Sequence, residues 1–101
     1  MNTYRQGDVL LIPVTTIPTN LVKTKMVTLA LGEVTGHHHT INYGAVGYGD
    51  QYDSLAEFVQ VVDESATLTH QEHGEIQLPK GMYRSVIQSE YTPAAIKNVA
   101  D

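Results

Sequence analysis

Three histidines stand in a row at His37, His38 and His39, in "GEVTGHHHTI", and the other two, His70 and His73, follow in "LTHQEHGEI". On an extended strand successive side chains point to opposite faces, so His37 and His39 share one face and His38 points away. That spacing offers two imidazoles to one ion. The second patch has two possible geometries. If extended, His70 and Glu72 share a face and His73 opposes them; if the chain turns at "QEHG", as Gly74 suggests, His70 and His73 converge. The chain has no cysteine, so a metal would be held by nitrogen and oxygen alone. Imidazole suits zinc, nickel, iron and copper, and a carboxylate from Glu72 or Glu33 would complete the set. We therefore expect a divalent transition metal (zinc, nickel or iron) on His37, His39, His70 and His73. If the protein is an enzyme, metal-activated water chemistry with Glu72 or Glu33 as base follows. Two other readings stay open: a solvated histidine loop, or a metal-free pocket whose neutral imidazoles hydrogen-bond a small polar ligand.

Other residues suggest ligand binding. Arg84 lies on a mixed strand face and can grip an anion bidentately, or pair with a surface carboxylate such as Glu90. Tyr48, in a loop with Tyr43 and Tyr52, can line a ligand mouth or an oligomer contact, and Tyr83 joins Arg84 and Tyr48 as a candidate ligand contact. "GEVTG" lacks the lysine and the following helix of a phosphate loop, and no nucleophile elbow is present.

These side chains need a scaffold. A chain of 101 residues suits a single core, expected over residues 1–93, with 94–101 as a C-terminal tail. The net charge of −5, with 6 basic against 11 acidic residues, argues against bulk nucleic-acid binding, which needs clustered cations. A local pocket for one phosphate remains compatible with it. The N-terminal apolar run is too short for a signal peptide, and no stretch approaches a membrane span. A soluble cytoplasmic protein is expected.

Short apolar runs separated by Gly, Pro, Asn and Asp predict strands. They are 8–14, buried on both faces; 24–31; an extended "HHHTI"; a weak strand near Val46; and 56–63, turning at Glu64-Ser65 into "ATLTH". "EIQL", a turn at "PKG" and the long strand 82–91 follow. No helical stripe of three turns precedes residue 94. The whole predicts an all-β barrel or sandwich, whose open edges favour a homo-oligomer.

The segments "GDVLLIPV", "GEVTGHHHTI", "LTHQEHGEIQLPKGMYR" and "IQSEYTP" together resemble a family of small uncharacterised bacterial and bacteriophage proteins, over most of the chain. That resemblance carries its polar signature onto Glu33, His37, His39, His70, Glu72, His73, Arg84, Gln88, Glu90 and Tyr91, departing at Ser89, where an arginine is expected. The H-x-H and "LPKGMY" also resemble parts of the cupin family, which implies a small cupin-like barrel. The cupin carboxylate that follows the histidine pair is missing here. Two functions follow. The first is a small β protein binding a transition metal or polar ligand through its histidines. The second, implied by the resemblance, is an oligomeric phage or bacterial accessory protein that binds a host protein or sequesters a small molecule, with structural histidines.

Overall fold

The computed structural model describes residues 2–31, 38–71 and 73–88. Every regular element among them is a strand. These are β1 (Tyr4–Gln6), β2 (Val9–Val14), β3 (Val22–Lys23), β4 (Val27–Leu31), β5 (His38–Ile41), β6 (Ala45–Gly49), β7 (Phe58–Thr69) and β8 (Ile76–Ile87). All pairings are antiparallel, in one sheet ordered β1-β2-β8-β7-β5-β4, with β6 also on β7 and β3 on β6. The all-β expectation holds. The sheet does not close into a barrel among the described residues, because β1 and β4 are not paired to each other. No helix there is long and apolar enough to cross a membrane. The expected tail lies outside the described residues.

The β7–β8 hairpin is the spine. β8 flanks β7 along its length, and the other side of β7 is shared: Phe58–Val61 pair with β6, and Leu68 and Thr69 pair with β5. Sequence reading placed a turn at Glu64-Ser65 and another at "PKG"; both are instead irregularities inside long strands. Register shifts between Val61 and Ser65. The carbonyl of Gly44 accepts from both Val62 N–H at 2.8 Å and Asp63 N–H at 3.2 Å, two residues answering one as in a β-bulge. On β8, Pro79 pairs with Ser65 at this break, a place where a strand tolerates proline. Gly81 adopts φ +152°, which only glycine takes without strain. The Tyr83 hydroxyl donates to Pro79 O at 2.7 Å and braces the kink.

The inner face holds the core. Val9 and Leu11, Val59 and Val61, Leu68, Leu78, Leu29 and Ile41 are buried there with Tyr83. Alternation explains it: β2 buries Val9 and Leu11 while Leu10, Ile12 and Val14 stay half-buried. The expectation that this strand is buried on both faces is thus corrected. Pro13 lies beyond the stretch covered by β1, where that side of β2 is an edge.

Candidate functional site

Two turns and one strand meet at the end of the core. The first turn is Gly7-Asp8, which joins β1 to β2 with Gln6 opposite Val9. Gly7 takes φ +60°, as the first central residue of a two-residue hairpin turn of type II′ requires. The second is formed by residues 70, 71 and 73–75 between β7 and β8, where the sequence predicted a turn. The strand is β5. Its alternation sends His39 inward, 4 % exposed, and leaves His38 half-buried. The His38 backbone N–H donates to Gln71 Oε1 at 2.9 Å, holding the loop against β5.

Three imidazoles pack together here. Ring centroids of His39 and His70 are 4.3 Å apart, those of His70 and His73 4.6 Å, and those of His39 and His73 5.9 Å. Of the four histidines expected to converge, the structure brings these three together. His37 lies outside the described residues, as do the expected carboxylates Glu33 and Glu72. Asp8 supplies a carboxylate at this end instead, with Oδ1 3.6 Å from His39 Nε2. Gly7 also lies against the His73 ring: a Cβ on it would sit 2.6 Å from His73 Nε2, so the exposed imidazole would have to swing aside.

Gln6, almost fully buried, organises the cluster. Its Nε2 donates to Leu68 O at 2.9 Å and to Gly74 O at 2.8 Å, tying together both ends of the hairpin loop. Two carbonyl acceptors fix the amide orientation, so Oε1 is the atom facing His39 Nδ1, 2.8 Å away. A carbonyl oxygen only accepts. His39 therefore carries its proton on Nδ1, and in the neutral ring Nε2 keeps a bare lone pair on the side of Asp8. Burial lowers the His39 pKa below the usual 6.5; repulsion from His70 adds to this, Asp8 opposes it, and His73 and His38 reinforce it. The ring is held neutral, the form that ligates a metal or accepts a proton.

His70 is set differently. Its Nδ1 accepts the His73 backbone N–H at 3.2 Å. Interplanar angles of 17° to 40° show the three rings closer to stacked than converging on a point. Among the described residues, no group of three or more His, Asp or Glu side chains is presented in finished metal-ligand geometry. The cluster is a buried, tautomer-fixed anchor at His39 with two imidazoles on an exposed loop beside it.

The other expected contacts lie elsewhere. Tyr83 is buried, meeting Tyr4 edge-on at 6.0 Å with its hydroxyl on Pro79 O. Arg84 and Tyr48 are both cross-strand partners of Phe58, from opposite sides, and occupy the outer sheet face. The sequence reading missed Gln6 and Asp8.

Residues 5–88 match the family model described as Domain of unknown function (DUF8820), and the chain belongs to that family. No curated protein and no solved structure matches the chain.

Proposed function

Taking the chain as a member of the DUF8820 family, we propose that it binds one divalent transition metal, with His39 as the buried anchor and His70, His73 and Asp8 as the remaining donors. The observation that carries this reading is the Gln6 clamp. A metal-bound histidine normally donates its other ring N–H to a fixed acceptor, which sets the tautomer and aims the lone pair; Gln6 Oε1 does this for His39. The donor set is all nitrogen and oxygen, which suits zinc, nickel or iron(II). His70 and His73 lie with ring centroids 4.3 and 5.9 Å from that of the anchor, at the end of the hairpin where side-chain rotation would turn stacked rings toward a shared ion. Four donors would close a tetrahedral zinc, whereas a five- or six-coordinate nickel or iron(II) would keep a position for water.

The test is elemental analysis of untagged protein, with zinc, nickel and iron(II) titrations of the wild type and of His39→Ala, His70→Ala and His73→Ala. One equivalent of metal is expected, with affinity falling by at least about tenfold in each variant, the scale of a lost ligand or its partner. Undiminished binding in all three variants, or no stoichiometric binding by the wild type, overturns the reading.

A further inference from the structure

A second feature of the molecule has the properties of a binding site and shares no residue with the histidine cluster. An open cleft of about 290 Å³ lies where β3 and β6 meet the ends of β4 and β5. That volume is at the small end of ligand clefts. Its charged lining residues are Lys23 and Lys25. Both are exposed, and among the described residues neither ammonium is paired with a carboxylate.

The backbone carrying them is fixed. Lys23 pairs with Tyr48, Thr24 N–H donates to Gly47 O at 2.9 Å, and Lys25 N–H donates to Tyr52 O. The two lysines are thus anchored at the main chain and mobile only along their stems. The lining also includes the apolar side chains of Met26, Ile41 and Val46 and the amide of Asn42. Met26 is 54 % exposed although its neighbour Val27 is buried, so apolar surface is open to a ligand at the cleft.

We propose that this cleft binds a small organic anion, a phosphate monoester or carboxylate with a compact apolar body. The lysines would hold the anion and the Met26–Ile41–Val46 wall the body. A lining that combines two lysines with apolar side chains would select against both a bare inorganic anion and a neutral hydrocarbon.

The experiment is a nuclear magnetic resonance titration of ¹⁵N-labelled protein, freed of metal on a chelating resin, with phenyl phosphate. Inorganic phosphate and benzyl alcohol are titrated separately as head and body alone, and benzoate as the carboxylate arm. Saturable shifts confined to the backbone of residues 23–27 and 41–47 are expected, with a dissociation constant at or below about 1 mM. Lys23→Gln/Lys25→Gln should weaken phenyl phosphate at least about tenfold, the loss of charge-assisted hydrogen bonds, with an otherwise unchanged spectrum. Phosphate alone and benzyl alcohol alone should each bind at least about tenfold more weakly. Shifts centred on His39 and His70, shifts that never saturate, or equal binding by the double variant would overturn the proposal. Tight metal binding at the histidines is unaffected by either outcome, so the two sites fail or stand separately.

Discussion

Strand β5 connects two polar regions of opposite character. At His39 the Nδ1 side of the ring is clamped by Gln6, which is itself bonded to two carbonyls. From there β5 runs out to Ile41 and Asn42, roughly 7 to 10 Å along an extended chain, where the lysines of the cleft have no acidic partner among the described residues. The histidine end is built into the core, whereas the lysine end is mounted on it. A buried polar network costs folding free energy unless complete, so the proposed metal binding there would be tied to stability. Exposed charges carry little stability, so function at the cleft is free of it.

The largest expected effect that separates the two ends is Gln6→Leu. It leaves the buried Leu68 carbonyl and the part-buried Gly74 carbonyl without their donor and frees the His39 tautomer. A loss of about 2–4 kcal/mol in urea unfolding is expected, together with weakened metal binding. A variant as stable as wild type would show that the clamp is not structural. Next comes Gly7→Ala, which forces an alanine into φ +60° at a cost of about 1–2 kcal/mol and pushes its Cβ against His73. Metal affinity should drop more than stability does; equal stability and affinity losses would place His73 outside the site.

A pH series sharpens the contrast. His39 has a folded-state pKa depressed below 6.5, chiefly by burial. Above 6.5 both folded and unfolded chains hold it neutral and stability is full. As pH falls below 6.5 the unfolded chain takes up the proton first, so stability is lost progressively through the lower folded-state pKa. Chelator-treated protein should therefore lose stability from pH 7 to pH 5, and His39→Gln should flatten that slope. An unchanged slope in the variant would assign the effect elsewhere. The smallest effects are expected at Lys23→Gln/Lys25→Gln and His38→Ala. Both should stay within about 0.5 kcal/mol of wild type in stability, and His38→Ala should keep wild-type metal affinity.

The contrast also explains what could be read from the sequence. Alternation on "HHHTI" placed His39 inward and His38 away, and Gly74 announced the turn that carries His70 and His73, because both signals are local. "QGDV" held one more local signal: Gly-Asp between short strands marks a tight hairpin. Had it been used, it would have drawn attention to Gln6 and Asp8. Nothing local, however, could tie Gln6 to carbonyls 62 and 68 residues away. The bulge at Val62–Ser65 read as a turn for a related reason. A run of exposed polar residues looks alike in both, and only the continued pairing of β7 with β8 across it tells them apart. The unpaired lysines were equally invisible, since a pairing is a fact about distance and not about sequence.

The β2–β8 pairing has a consequence for the order in which the protein comes to exist. It joins Val9 to Ile87 and Val14 to Met82, so the first long strand made by the ribosome has to wait for the last. The histidine cluster shares this schedule, because the Gln6–Asp8 turn and the loop at 70–74 must both be present before His39 has its partners. Contacts of such long sequence separation form slowly. During synthesis the emerging chain holds histidines but no clamp, and an early metal would meet unordered ligands. If the cluster binds the proposed metal, selective loading belongs to the finished chain, and a truncated product would compete poorly for the ion.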